Sequence, residues 1–286
     1  MDPLIWDGEA PSLRSPVLVA AFAGWNDAAS SATTALESVA ASLDTELVAQ
    51  IDPEEFFDFQ VTRPTVRLSE GLSRELDWPE NAFVCGRAPE AEHDVVLLSG
   101  VEPNLRWRGF SSAILDVAER LGVQMVVTLG ALLADVAHTR PVPITGLASD
   151  RDLVESLGLE RSSYEGPTGI VGVIHDACRE RGLTSASLWA AVPHYIAAVP
   201  NPKAALALLR RLEGFTGVAV DASELDEAIE RFDRQVDSAV AANTEIEELV
   251  RRLAVEQDDA LEGSEDVPSA DSIARDFQRF LRQQDD

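Results

Sequence analysis

The chain has 286 residues, 45% hydrophobic and 26% charged, enough for a full core in one large domain or two small ones. Fifty acidic against 23 basic side chains give a formal net charge of −27, which repels phosphate backbones and argues against nucleic acid as a partner. Two cysteines, Cys85 and Cys178, exclude a disulfide scaffold and any four-cysteine metal site.

Short β-branched runs alternate with longer helical patterns. Val17 to Phe22 reads as a buried strand, followed by Gly24, and Asn26 or Asp27 can cap a helix from about Ala28 to Leu43. Glu46 to Ile51 is a second strand; Thr65 to Leu68 and Ala82 to Cys85 read as shorter, antiparallel edge pieces. Asp94 to Gly100 is another buried strand. Trp107 to Leu121 is a helix with Phe110, Ile114, Leu115 and Ala118 on one face. Gln124 to Leu129 is the clearest strand and ends at Gly130. Arg140 to Ser149 is loop or edge strand, and Asp152 to Leu157 a short helix. Thr168 is placed to cap a helix that reaches Arg181 and is closed by Gly182. Ser187 to Val192 is the last core strand, and a helix follows from about Pro202 to Leu212. Near-continuous apolar strands separated by helices indicate a mostly parallel sheet covered on both faces. The expected fold class is α/β: a three-layer α/β/α sandwich over residues 1–220, plus a C-terminal helical extension.

The composition changes after Val220. Residues 221–286 hold 20 acids and 7 arginines, a net charge of −13 in under a quarter of the chain. This acidic tail reads as one long helix from Glu224 to about Glu256, a flexible linker from Asp258 to Pro268, and a short amphipathic helix from Ser269 to Leu281. Leu225, Ile229, Phe232, Val236, Ala239, Asn243, Ile246, Val250 and Leu253 step by four and three along the long helix, a heptad seam with Asn243 inside it. The seam is expected to pack on the final short helix. Deleting the tail is expected to leave a folded, oligomeric core.

Several kinds of chemistry lack their motif. There is no Gly-x-Ser-x-Gly elbow and no His-Glu-x-x-His. His93, His138, His175 and His194 show no metal-ligand spacing, so neither metal nor cofactor is expected. Lys203, the only lysine, lies in Asn201-Pro202-Lys203-Ala204, which excludes a Walker loop, and no Schiff-base role is expected of it. Gly166 to Gly172 is glycine-rich before a helix, but its spacing is not the dinucleotide fingerprint; a tight turn with close helix packing is preferred. No apolar run reaches the roughly 18 residues of a membrane span. The acidic start, Met1 to Asp7, lacks the basic region of a signal peptide, so the cytoplasm is the default location, with reduced, inert core thiols.

Polar residues gather just after the strands, where open α/β sheets bind ligands. Trp25, Asn26 and Asp27 follow the first; Glu102, Asn104 and Arg106 follow the run ending at Gly100; Asp135, His138 and Arg140 follow the Gly130 strand; His194 and Tyr195 follow the last. Glu102, Asp135, His138, Arg140 and His194 are the candidate cleft. Each has a structural alternative: helix caps for Asn26 and Asp27, an ordered loop for His138, an Asp135–Arg140 pair.

Phe22-Ala23-Gly24-Trp25-Asn26-Asp27-Ala28 resembles the proteasome assembly chaperone two (PAC2) family, in particular its actinobacterial branch. So do Thr128 to Asp135, with His138-Thr139-Arg140-Pro141, Tyr164 to Gly169, Trp189 to Tyr195, and the acidic-aromatic block Asp52 to Phe59. The resemblance spans roughly residues 1–215. It implies an α/β/α fold similar to the nucleoside phosphorylase and hydrolase superfamily. It also implies a homo-oligomer (dimer or trimer), or pairing with a paralogue. The family's eukaryotic members pair with a partner chain to template a proteasome α-ring, and contact it through a C-terminal hydrophobic-Tyr-x tail. Here the last residues read Leu281-Arg282-Gln283-Gln284-Asp285-Asp286, so that contact is not expected. The leading reading is a cytoplasmic, non-enzymatic interaction or assembly protein. The alternative is an enzyme or ligand-binding protein using the strand-end cleft, on nucleoside-like or glycosidic substrates. The two differ in one observable: whether the five candidate residues line one pocket.

Overall fold

A computed structural model describes residues 2–69, 73–149, 166–196 and 200–263. Among these, eight strands form one sheet: β1 (Leu4–Trp6), β2 (Val17–Ala23), β3 (Thr45–Ile51), β6 (Asn81–Gly86), β7 (Val95–Val101), β8 (Met125–Ala134), β9 (Ile144–Ala148) and β10 (Thr184–Pro193). Across the sheet the order is β1-β3-β6-β7-β2-β8-β10-β9. The four central strands, β7, β2, β8 and β10, run parallel. The flanks are antiparallel, so the sheet is parallel at its centre and mixed at its margins. A separate two-stranded hairpin, β4 (Thr65–Ser69) and β5 (Ser73–Asp77), stands outside it. Of the edge pieces expected from the sequence, Ala82 to Cys85 belongs to the main sheet and Thr65 to Leu68 to this hairpin.

The alternation along β2 builds the sandwich. Val17, Val19 and Ala21 face a core layer with α1 (Ser31–Ser42) and a helix at Pro202–Thr216. Leu18, Ala20 and Phe22 face the opposite layer, with α2 (Trp107–Leu121) and α3 (Ile170–Arg181). Both faces of the sheet are covered, as its near-continuous apolar strands require. Helix α2 spans the residues its spacing predicts. Gly182, at φ +68°, closes α3 in the left-handed conformation that glycine adopts without strain. Gly130 stands opposite Trp189 in the β8–β10 register, where a Cβ would lie 2.6 Å from the indole. Glycine is needed there for the ring to lie flat across β8.

The tail differs from its sequence reading. The expected single helix is two: with Pro202–Thr216 as α4, they are α5 (Ser223–Ala241) and α6 (Thr244–Gly263). The break falls at Asn243, whose side-chain oxygen accepts the backbone N–H of Glu245 at 3.0 Å and of Ile246 at 3.4 Å. A polar residue within the apolar stripe thus ends one helix and caps the next, and does not set a coiled-coil register. The stripe then folds on itself. Phe232, Val236, Val240 and Val250 form one buried cluster with Tyr195 and Ile196, and Leu253 and Ala254 form another with Ala137 and Tyr195. Leu225 joins the main core. Asp258 to Gly263, read as the start of a linker, continues α6. The rest of that linker, the Ser269–Leu281 helix and the Asp152–Leu157 helix lie outside the described residues. Among the described residues, no helix is long and apolar enough to cross a membrane.

Candidate functional site

Helix α1 begins in an unusual way. After Gly24 (φ +136°), a 3-10 turn over Ala28–Ser30 places Ala29 and Ser30 in left-handed conformations, at φ 52° and 51°. Asp27 reaches past this turn. Its Oδ1 accepts the backbone N–H of Ala32 at 2.7 Å, and its Oδ2 accepts the Thr33 hydroxyl at 2.5 Å. Asp27 is therefore the cap of α1, five residues along and not the two or three expected. Burial raises its pKa above the ordinary carboxylate value, partly opposed by the Thr33 and Ala32 hydrogen bonds.

Asn26 does different work. Its Nδ2 donates to Glu102 Oε1 at 2.9 Å, and the same oxygen accepts the backbone N–H of Ile170, the first residue of α3, at 2.8 Å. Gly169 allows this crowding, since a Cβ there would lie 2.3 Å from Asn26 Nδ2. Glu102 thus sits at the helix N-terminus where an anion would dock, and the chain supplies its own carboxylate. The glycine-rich Gly166–Gly172 stretch is a close-packed helix entry, with Glu102 capping where Thr168 was expected to.

The other four candidates lie between the C-terminal ends of β8 and β10 and the α5–α6 pair. His194 Nδ1 is 3.0 Å from Asp135 Oδ1, an ion-pair distance off the line of a hydrogen bond. Tyr195 stands between His194 and His138, its ring meeting both edge to face. The buried His138 donates its backbone N–H to the Tyr195 oxygen at 2.9 Å, and Nδ1 lies 2.9 Å from the same oxygen. The hydroxyl proton is then available to Nδ1, which assigns the ring proton to Nε2, facing Asp237 Oδ1 at 3.2 Å. Burial holds the Tyr195 pKa above its ordinary value, consistent with that donor role. Arg140 pairs not with Asp135 but with Asp258 of α6, through two bonds of 2.6 Å. That pairing lowers the Asp258 pKa.

Lys203 belongs to the same seam. Its ammonium donates to the His138 carbonyl at 2.8 Å and to Asp233 of α5 at 3.1 Å. Gln257 of α6 donates to the Pro141 carbonyl at 3.0 Å and accepts the Ala137 N–H at 3.2 Å. The structure therefore brings His138 and His194, with Asp135, around Tyr195 and ties Arg140 to α6 in the same seam, while Glu102 sits apart with Asn26 and α3. A cavity of about 10 Å³, room for about one water, is lined by Ala137, His138, Asn201, Lys203 and Phe232 among others. Sequence reasoning missed Asp233, Asp237 and Asp258, which read as the solvated face of an acidic helix. Their one signal was position, spaced along the flank of the apolar stripe.

Among the described residues, no cluster of three or more His, Cys, Asp or Glu side chains is placed to hold a metal ion. Burial pushes the Cys178 thiol up to about 11 and raises that of Cys85. Both are poor nucleophiles, as core thiols should be.

These features define an α/β/α sandwich in which the strand-end residues His138 and Arg140 are bonded to a C-terminal helix pair. The chain belongs to the PAC2 family, whose model matches residues 21–240. A PAC2 family protein from Streptomyces avermitilis is 47% identical, with a TM-score of 0.77 over 82% of this chain and 99% of that one. A Mycobacterium tuberculosis protein described as a proteasome-assembly chaperone homologue is 46% identical, with a TM-score of 0.75 over the same shares. A second M. tuberculosis protein, of unknown function, is 30% identical, with a TM-score of 0.84 over 98% of this chain and 96% of that one. No curated protein matches the chain significantly.

Proposed function

We propose that the chain is a cytoplasmic, non-enzymatic interaction or assembly protein, chaperone-like in the sense of its M. tuberculosis relative. The observation that carries this reading is the use of the strand-end polar groups. Asp135, His138, Arg140 and His194 are engaged with one another's loops or with α5 and α6, and Glu102 closes the N-terminus of α3. Groups held this way stabilise the fold and present little to a substrate. The partner is another protein chain: a further copy, a paralogue, or the complex whose assembly the protein assists. Affinity isolation from the native host with chemical cross-linking tests this. Stoichiometric recovery of a defined protein complex, proteasome subunits included, is the expected result; recovery of the chain alone, with a tightly bound small molecule, would overturn it.

One observation favours the small-ligand alternative. Asn26 Oδ1 is buried beside Glu102 without a hydrogen-bond partner, and a hydroxyl-bearing ligand such as a nucleoside or glycoside could supply the missing donor. Calorimetric titration with nucleosides and glycosides, repeated on Asn26→Ala, tests it.

A further inference from the structure

Strands β2 and β7 are parallel neighbours whose chains leave the sheet in opposite directions, β2 to α1 on one face and β7 to α2 on the other. The crevice this opens beyond their C-terminal ends is where an open α/β sheet holds a ligand. Two loops form it, residues 24–30 and 102–106, tied together by the Glu102 N–H, which donates to the Ala23 carbonyl at 2.9 Å. The N-terminus of α3 closes the third side. Of the four non-glycine residues with positive φ among the described residues, Ala29, Ser30 and Arg106 belong to these two loops, and backbone held this way concentrates at functional sites.

What the crevice offers is acceptors. Asn26 is only 2% exposed, and its Nδ2 is engaged with Glu102 Oε1, while its Oδ1 accepts no hydrogen bond among the described residues. That orphan oxygen stands against the N-cap of α3: a Cβ on Gly169 would lie 2.7 Å from it. Glu102 is half-buried, and both of its hydrogen bonds, from Asn26 and from the Ile170 N–H, fall on Oε1. Its Oε2 lies on the side of Gly24, which is exposed together with Trp25. Gly166, Pro167 and Thr168, just before Gly169, are exposed as well.

Charge selects the ligand. Helices α1 and α3 both begin here, and an anion would dock at either N-terminus, but the chain fills each with its own carboxylate, Asp27 and Glu102. The donors the structure gives these two carboxylates are neutral: an amide, a hydroxyl and backbone N–H groups. An arriving phosphate or carboxylate meets like charge, on a chain of net charge −27. A half-buried carboxylate beside an unsatisfied acceptor calls instead for a cation that donates hydrogen bonds. A divalent metal fits poorly, since it takes about six oxygen ligands or more and no cluster of three or more ligating side chains stands among the described residues. A primary ammonium presents N–H donors on one compact charge and no acceptor.

We infer that the crevice at the ends of β2 and β7 binds a small primary amine as its ammonium, with Glu102 as counter-ion and Asn26 Oδ1 as second acceptor. The inference rests on the small-ligand reading of Asn26, and names an N–H donor where that reading named a hydroxyl. It fixes the order of affinities: an amine binds more tightly than the alcohol of the same shape, because only the amine compensates the Glu102 charge. Removing that charge removes the preference, whereas a site that recognises hydroxyls through Asn26 alone keeps its affinity for the alcohol.

The experiment titrates the full chain with matched probes, followed by ligand-observed NMR: ethanolamine against ethylene glycol, and putrescine against 1,4-butanediol. Salt at about 0.15 M screens the general attraction of cations to an acidic chain. Each amine is expected to bind about tenfold or more tightly than its alcohol. Glu102→Gln keeps an oxygen for the Asn26 and Ile170 donors and is expected to abolish that preference with an unchanged circular dichroism melt. Should it fail to fold, Asn26→Ala, which leaves the Glu102 charge in place, carries the test, with the amines expected to weaken by a similar factor. Amine binding that the variants retain, or no amine binding by the wild type, overturns the proposal. Alcohols, nucleosides or glycosides bound without preference for the amines overturn it while leaving the small-ligand reading standing; no binding by any of these probes removes both.

Discussion

Acidification gives a quantitative test of the α3 layer through His175. The imidazole Nε2 lies 2.9 Å from the Thr128 hydroxyl on the sheet, and burial lowers its pKa from 6.5 to about 4. In the unfolded chain it titrates at its ordinary value. Between the two values the unfolded chain binds a proton that the folded chain does not, so stability rises with pH across that window. The contribution is complete above about pH 6.5 and is lost as the pH falls toward 4. A gap of about 2.5 units at about 1.4 kcal/mol each amounts to about 3 kcal/mol. That figure is a ceiling, because part of the residue still meets solvent. His175→Gln keeps a side chain able to bond the Thr128 hydroxyl and does not titrate. Urea unfolding of both proteins at pH 7 and pH 4.5 isolates the effect, since every other titrating group is common to the two. The wild type is expected to lose about 2 kcal/mol more than the variant over that interval. Equal losses would refute the reasoning, by showing that the folded protein protonates His175 as readily as the unfolded chain does.

Asp27→Ala removes the cap that α1 receives across its left-handed turn, and is expected to cost about 1–2 kcal/mol by chemical denaturation at neutral pH. The raised pKa of Asp27 sets a pH trend opposite to that of His175. The folded state holds its proton longer, so this contribution is largest at low pH and declines as pH rises through the ordinary carboxylate range. Asp27→Asn should flatten that decline in the same titration. Phe232→Ala enlarges the small cavity beside His138 and Lys203 and is expected to cost about 3 kcal/mol. Limited proteolysis should then cut within α5 or α6 before it cuts the sandwich.

Where neighbours in sequence are neighbours in space, the sequence was readable. Trp107 to Leu121 repeats its apolar residues at helical spacing, and β2, β7, β8 and β10 are apolar throughout because both their faces are covered. Strand β1 was not readable: three residues, Leu4 to Trp6, become a strand only by pairing with β3. Strand β5 reads Ser-Arg-Glu-Leu-Asp, with one apolar residue, and is fixed by its register with β4. At the candidate site, strand-end position picked out Asp135, His138, Arg140 and His194. Their partners lay far along the chain: Asp237 is 99 residues from His138, and Asp258 is 118 from Arg140. The tail helices were read as one because the break contains neither glycine nor proline; Asn243, noticed as a polar interruption, was the cap that marks it.

Deleting residues 221–286 tests whether the tail carries assembly. The cut removes Ala222 and Leu225 from the layer beside α4 and uncovers Tyr195 and Ala137. It leaves Arg140 without Asp258 and Lys203 without Asp233. Loss of one buried leucine costs about 2–5 kcal/mol, yet the two core layers on either face of the sheet draw nearly all their residues from before Val220. The truncated chain is therefore expected to fold, with a lower denaturation midpoint. It also sheds −13 of the −27 charge, so repulsion between copies weakens. Self-association should then persist, at least as tight as in the full chain at low salt. A truncated protein that stays folded by circular dichroism but is monomeric by light scattering would place the assembly surface on the tail helices.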